Sequence, residues 1–440
     1  MAFSIHGAHV PHRKNTASKE PVRMGAPKSV VIPTVMHIGA PALPIAKVGD
    51  EVKVGTKIAA ASGMVSSPIY SSISGKVTKI QDFLLYSGTT VPAFVIESDG
   101  EMTADESITP PAVNSREDLI EAIRESGVVG LGGAGFPTHV KLSADPARIE
   151  HLIINCAECE PYITSDSFSM ITRRDDMAYA LNMIKRYIGV KSIIIGIESN
   201  KKAAIESMKK LMLDVMEDCS VQVKVLPSVY PQGGEKVMVH RTTGREIPVG
   251  KLPIDVGCVV INCTTLAVIG TYLKTGMPLV EKCITIDGGA VHTPQNVIAP
   301  IGTAFADIFE FCGGLKEEPV KLIYGGPMMG VTAPGLHAPV LKNTNAILAL
   351  TDKEAKLPKT TPCIRCGSCA NTCPFGLAPV AIAKAYQNKD AALLDELSVN
   401  ACMECGCCSF VCPANRPLVQ TNKLAKIMLR EEKAKEENKA

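Results

Sequence analysis

Two copies of one cysteine phrase limit what the C-terminal part of this chain can fold into. The first is Cys363-x-x-Cys366-x-x-Cys369-x-x-x-Cys373-Pro374, and the second is Cys402-x-x-Cys405-x-x-Cys408-x-x-x-Cys412-Pro413. A [4Fe–4S] cube needs four soft, deprotonated ligands in one small volume. In runs of this spacing three thiolates wrap one cube, and the Cys before Pro reaches the other cube. Cys363, Cys366, Cys369 and Cys412 are therefore expected to hold one cluster, and Cys402, Cys405, Cys408 and Cys373 the other. The segment between the runs, Ala378 to Leu397, has helical spacing and would set the loops back to back. Zinc is the alternative occupant, but its sites use two C-x-x-C pairs and need neither a third close Cys nor the Cys-Pro. Cys407 sits off register. It reads as a buried spare thiol, with ligation in place of Cys408 as the other possibility.

The two runs match those of bacterial-type ferredoxins, so one-electron transport is the expected task of this segment. The remainder must supply the electrons. At 440 residues the chain is too long for one core. Its formal net charge is +2 and it has no Trp, which removes the electrostatic and stacking footprints of nucleic-acid binding. Sixteen Cys would suggest disulfides in a secreted protein. The start, Met1-Ala-Phe-Ser-Ile, lacks the basic and apolar parts of a secretion signal, so clustered Cys point to metal in a reducing compartment. The most apolar runs, Ser192-Ile-Ile-Ile-Gly-Ile and Cys258-Val-Val-Ile-Asn-Cys, are of strand length and fall short of the ~18 residues of a membrane span. A soluble chain is expected, or one that docks on a membrane through a partner.

The expected fold class is multidomain α/β. Residues 1–100 read as a β module in which short apolar runs alternate with turn residues. Val48-Gly-Asp-Glu-Val-Lys-Val-Gly and Ser66-Ser-Pro-Ile-Tyr-Ser-Ser-Ile-Ser-Gly together resemble a lipoyl-like hammerhead, or barrel-sandwich module. The stretch from Ala59 to Gly75 contains no Lys, so a scaffold is expected and not a swinging arm. A polar linker over 100–115 precedes a helix that Ser115 can cap, with Asp118 three residues on. Residues 115–275 alternate strand and helix patterns, which predicts βαβ units and a mostly parallel sheet. Residues 280–345 read as a small β-grasp domain. A second linker over 352–361 leads to a two-cluster ferredoxin-like helical domain, 355–422, and a charged tail, 423–440, read as a solvated helix or disordered.

A second signal is Gly130-Leu-Gly132-Gly133-Ala-Gly135-Phe136-Pro-Thr. It satisfies G-x-G-x-x-G but follows a helix and contains Pro137, so the pattern alone leaves dinucleotide binding and a tight turn both open. Four Gly within six residues do let backbone N–H groups approach a phosphate or a flat ring. Asn155-Cys156-Ala157-Glu158-Cys159-Glu160-Pro ends a predicted strand, where parallel sheets bind ligands. Tyr230-Pro-Gln-Gly233-Gly-Glu235-Lys236 and Asn262-Cys-Thr-Thr265 follow downstream.

These residues, in this order, resemble the flavin- and NADH-binding subunit of respiratory complex I. The resemblance implies that Gly130, Gly132 and Gly133 pack on FMN with Lys141 near its phosphate. Asn155 and Glu158 would line the flavin, and Asn262 and Thr265 would close its phosphate end. Phe136, Glu160 and Glu235 would face NAD(H). Gly135, Tyr230, Gly233 and Lys236 belong to the same cofactor motifs. The family's Gly-Arg-Gly-Gly reads Gly-Leu-Gly-Gly here, an acidic flavin position is Ala157, and a paired Glu is Gly234.

The whole chain is more similar to the RnfC family of the Rnf complex, a membrane-bound ion-translocating ferredoxin:NAD oxidoreductase. Gly7-Ala-His9-Val-Pro, the lipoyl-like module, the glycine loop, Asn155-x-x-Glu-x-Glu-Pro, Tyr230 to Lys236, Thr243-Gly-Arg-Glu-Ile-Pro, Gly325-Gly-Pro-Met-Met-Gly and both Cys runs occur in that family's order. The family implies a peripheral subunit on the cytoplasmic face of the membrane, carrying FMN, an NAD(H) site and two [4Fe–4S] clusters. Its implied partners are membrane and peripheral subunits, one of them an iron–sulfur subunit that meets ferredoxin. No side-chain acid or base is required. The rival readings are a flavin and iron–sulfur cobalamin reductase, whose flavin region stands at the N-terminus, and a non-enzymatic electron carrier.

Other features read as bland. His6-x-x-His9-x-x-His12 lacks the helical register of zinc enzymes and suggests a packing segment. Cys156 and Cys159 read as lining thiols. Cys219, Cys258, Cys263, Cys283 and Cys312 read as core, as do Met208, Met212 and Met216.

Overall fold

The computed structural model describes residues 6–85, 87–215 and 220–437. Met216 and Cys219, both expected in the core, lie outside the described residues.

The N-terminal module pairs two small antiparallel sheets. One orders Ser29–Pro33, Thr90–Ser98, Gly75–Leu84 and Glu51–Val52; the other orders Leu43–Pro44, Lys57–Ala60 and Ile69–Tyr70. Alternate residues of the strands point inward, so Val30, Ile32, Ile58, Ile69, Val77, Phe94 and Ile96 make one buried core. The stretch from Ala59 to Gly75 is held down: Ser66, Ser67, Ser71, Ser72 and Ser74 are buried within it. The buried Lys342 ammonium clamps it from the far side, donating to Ser67 Oγ (3.1 Å), Pro68 O (2.7 Å) and Gly127 O (2.7 Å).

The middle domain opens with the helix Arg116–Glu125, and Ser115 accepts the Asp118 N–H at its start. Its sheet has four parallel strands, in the order Ser220–Leu226, Ser192–Glu198, His151–Cys156, Cys258–Asn262. The chain builds outward from strand 151–156 on one side, then returns to its other side for strand 258–262. That reversal opens a crevice at the carboxyl ends of those two strands, where sheets of this kind bind ligands. Apolar runs such as Ile193-Ile-Ile are buried because helices cover both faces of the sheet. Helices Arg174–Ile188 and Cys263–Thr275 pack so closely that a Cβ on Gly270 would strike the Asp176 carbonyl.

The third unit is a mixed six-stranded sheet, ordered Val22–Arg23, Gln295–Pro300, Glu281–Asp287, Ala346–Leu350, Lys321–Tyr324, Val331–Thr332. Helix Phe305–Phe311 covers it, and Phe305 packs edge-on against Tyr324 at 4.8 Å between ring centroids. Two sequence boundaries need correction here. The limit at 345 omits strand Ala346–Leu350, a fully buried inner strand of the sheet. Val22–Arg23 falls within the span expected for the N-terminal module, yet it pairs in parallel with Val297 and Ile298.

The last unit holds the helices Ser368–Asn371, Pro379–Gln387, Ala391–Glu396, Cys407–Phe410 and Leu418–Glu437. Its two Cys runs repeat at the backbone level. Arg365 and Glu404 are both left-handed, and Gly367 and Gly406, also left-handed, cap the short helices that follow. The limit at 422 is also corrected. Helix 418–437 runs through it, and Ala425 and Leu429 are buried against Ile382, Ala385 and Leu394. Among the described residues no helix is long and apolar enough to cross a membrane.

Candidate functional site

Asn155 and Asn262 end the two central strands and are register partners across them. Asn262 caps helix 263–275: its Oδ1 accepts the Thr265 N–H at 3.1 Å, while its Nδ2 donates to Asp166 at 2.8 Å. Thr265 in turn accepts the Leu131 N–H (2.9 Å) and donates to Val129 O (3.2 Å), so this strand end carries the glycine loop. A Cβ on Gly132 would lie 2.5 Å from Asn262 Nδ2, whereas Gly133 faces open space. The loop closes where Gly130 N–H meets Phe136 O at 2.9 Å, with Gly135 left-handed at φ +74. Gly132 and Gly133 are exposed and Phe136 is half-buried beside them.

The opposite wall is the segment from Tyr230 to Lys236. Asn155 Nδ2 donates to Gly233 O at 2.8 Å. Lys141 Nζ donates to Glu235 (2.7 Å) and to Val260 O (3.0 Å), which sets a paired cation on the crevice rim. Lys236 follows Glu235 into helix Glu235–Thr243 and is half-buried. The structure thus gathers Gly130, Gly132, Gly133, Gly135, Phe136, Lys141, Asn155, Gly233, Glu235, Lys236, Asn262 and Thr265 around one crevice.

Glu158, Glu160 and Tyr230 lie beneath it, in a charged layer that sequence reasoning missed. Glu158 accepts from the Asp166 N–H (2.7 Å), Ser167 Oγ (2.7 Å) and Lys201 Nζ (2.8 Å). Burial raises its carboxyl, but Lys201, Lys14 and the donated bonds outweigh this and hold it below its ordinary value. Lys14 donates to the carbonyls of Glu158, Glu160 and Ile163. Burial pushes its ammonium down to about 8 against the pull of Glu158. Glu160 accepts the Met328 and Met329 N–H groups (3.1 and 2.7 Å) under the turn that begins at Gly325, and burial pushes it up to about 7. Its carboxylate is therefore engaged by that turn, where the sequence reading turned it toward a nucleotide. Behind the glycine loop, buried Lys282 donates to Leu131 O at 2.6 Å, and burial pushes it down to about 7. Lone lysines such as Lys282, in an otherwise largely apolar strand, were the available signal.

The eight cysteines of the two runs form two rings. Cys363, Cys366, Cys369 and Cys412 line one cleft of ≈ 680 Å³. Cys373, Cys402, Cys405 and Cys408 line another of ≈ 320 Å³. The fourth Cys of each run faces the other run's loop: the Cys373 thiol is pushed up by burial and then by Cys405 and Cys402, and Cys369 by burial and then by Cys412 and Cys363. Among the described residues no three His, Cys, Asp or Glu side chains converge on a point that could hold a single ion. Each ring instead surrounds a volume, which fits a cube held by four thiolates. Cys407 is buried and donates to Tyr230 O at 3.7 Å.

The second ring touches the crevice wall. Tyr230 Oη donates to Cys405 O at 2.8 Å, and a Cβ on Gly234 would strike the Met403 methyl. The first ring faces outward, with Cys366 exposed. An N-terminal strap ties the parts together: Ala8 pairs with Tyr230, and Gly7 O accepts from Thr372 Oγ1 at 2.8 Å. His6, His9 and His12 are exposed on this packing segment. Cys159 lines the site as a buried thiol that accepts the Gly233 N–H at 3.3 Å.

Residues 123–271 match the family described as the Nuo51 FMN-binding domain, residues 3–101 the RnfC barrel sandwich hybrid domain, and residues 283–332 the SLBB domain. The RnfC protein of the proton-translocating ferredoxin:NAD(+) oxidoreductase complex of Clostridium ljungdahlii is 43% identical, over 85% of this chain and 82% of its own length. Its counterpart in the Na(+)-translocating complex of Acetobacterium woodii is 42% identical, over 87% and 86%. This chain belongs to the RnfC family. The RnfC protein of the ion-translocating oxidoreductase complex of Rhodobacter capsulatus, 39% identical, aligns with 99% of this RnfC chain and 85% of itself. Within it, the FMN-domain match contains the glycine loop, both strand-end asparagines and the Tyr230 to Lys236 wall. The RnfC chain is thus a component of an ion-translocating ferredoxin:NAD oxidoreductase complex, with an FMN-binding domain built around the crevice.

Proposed function

We propose that this chain passes electrons between NAD(H) and partner subunits of the complex, using FMN in the crevice and a [4Fe–4S] cluster in each cysteine ring. The observation that carries this reading is the contact between crevice wall and second ring, through Tyr230 and Cys405. FMN, when bound, supplies the exchange between two-electron hydride chemistry and the one-electron chemistry of the clusters.

The chain's own residues do the holding and placing. Exposed Gly132 and Gly133 give a flat ligand access to backbone N–H groups. Asn262 and Thr265 lock that loop to a strand end, and Asn155 fixes the opposite wall through Gly233. Lys141 offers a cation for a phosphate on the rim, with Glu235 holding it in place. NAD(H) is assigned to the open side, between Phe136 and the turn carrying Glu235 and Lys236. Glu158 and Glu160 act from below by stabilising the turn after Asn155. The ring of Cys373, Cys402, Cys405 and Cys408 is the inner station, and the ring of Cys363, Cys366, Cys369 and Cys412 is the outlet. In the complex the chain sits on the cytoplasmic face of the membrane, and the ion path is assigned to its partners.

The test uses anaerobically purified chain. NADH should bleach bound flavin in the wild type and in Cys402→Ser alike, while Cys402→Ser loses NADH-dependent reduction of a protein acceptor. Undiminished acceptor reduction by Cys402→Ser contradicts the wiring, and unbleached wild-type flavin contradicts the NAD(H) role.

A further inference from the structure

The two Cys runs are repeats, but their surroundings are not. Met403, in the second run, packs on Gly234 of the crevice wall, and the next residue, Glu404, pairs with Lys426 at 2.6 Å. The equivalent pair in the first run is Ile364 and Arg365. Ile364 is 68% exposed and nearby Leu357 is 81% exposed. From Ala355 to Lys389, and again from Cys405 to Arg430, the chain contains no Asp or Glu. Hydrogen bonds draw these stretches together around the first ring: Thr361 N–H meets Ala414 O at 3.0 Å, and Asn415 Nδ2 donates to Lys359 O at 3.3 Å. The rim beside exposed Cys366 therefore carries Lys356, Lys359, Arg365 and Arg416, and among the described residues no ion pair takes up any of them.

We propose that this face is the docking surface for an acidic one-electron carrier protein. It deepens the proposed function and rests on the first ring being the electron outlet. The surface that the second run uses to seat a redox domain has an uncovered twin in the first run. The twin has the same apolar centre, now rimmed by unpaired cations. A neutral or basic partner would leave those cations unpaired on burial, whereas an acidic partner matches them, is steered to the rim and is released by salt.

The test measures binding of a purified acidic bacterial-type ferredoxin to the full chain by biolayer interferometry, with iron and sulfide counted in the same samples. Lys356 and Lys359 lie outside the Cys run, so Lys356→Glu/Lys359→Glu leaves the rings intact. The double variant should bind the carrier about tenfold more weakly at low ionic strength, with a flattened salt dependence, and should retain its iron. Affinity and salt dependence equal to wild type overturn the proposal. Binding of phosphatidylglycerol vesicles, but not of the carrier, through the same two lysines also overturns it. A chain that lacks iron yet binds the carrier through these lysines sinks the cluster reading and leaves the docking surface standing.

Discussion

Lys282 reaches the glycine loop from another domain and holds it from behind. Its ammonium is buried and donates to Leu131 O at 2.6 Å. Lys282→Met keeps the apolar stem but leaves that carbonyl unpaired, a loss of ~1–3 kcal/mol that falls on loop placement. FMN affinity, read by fluorescence titration, should drop roughly tenfold while the melting temperature holds or rises, since a buried cation has gone. Unchanged FMN affinity would remove Lys282 from the site. Lys342 allows a cleaner pH test, because only neutral acceptors surround it. Burial pushes it from 10.5 down to about 7. Between those values the unfolded chain holds a proton that the folded chain lacks, so stability rises with pH across that window and is flat below it. Lys342→Met should flatten the rise in melting temperature from about pH 7 to about pH 9. Lys14 and Lys282 contribute in the same direction and keep some slope. A slope identical to wild type would contradict the assignment. None of these lysines was legible in the sequence as a site residue, since each works through contacts distant in the chain. Asn155, Lys141, Glu235 and Asn262 were legible because their motifs end strands or open helices of the crevice.

At the scale of elements, each cysteine run makes sense only with its twin. The spacing told which cysteines converge, and the rings show the same crossed membership. Cys412→Ser should therefore damage the cluster of the first run although Cys412 belongs to the second, leaving one paramagnetic signal intact. Loss of the second-run signal instead would undo the crossing. Elements escaped the sequence where their partners lie far along the chain. Strand Ala346–Leu350 follows a long irregular stretch, and only the sheet partners it finds at Asp287 and Tyr324 mark it as the domain's inner strand. The last helix is charged on most faces, and burial of Ala425 and Leu429 alone binds it to the cluster domain. A charge-rich composition concealed that narrow seam.

Across the whole molecule, the N-terminal strap explains the compact link between flavin crevice and cluster domain. Residues 6–23 pass Tyr230, lie over the carbonyls after Asn155 and join the third sheet at Val297, so one segment contacts three units. Nothing in the local pattern of those residues announces this, because their partners lie more than a hundred positions away. The parallel sheet, by contrast, was readable from alternating strand and helix runs, and its strand order then placed the crevice. A flavin crevice and two cysteine rings thus share one chain. Counting flavin, iron and acid-labile sulfide in the anaerobically purified full chain tests that union most directly. The expected result is one FMN with about eight iron and about eight sulfide per chain, from two four-iron clusters. Flavin absent, or iron without sulfide, would contradict it.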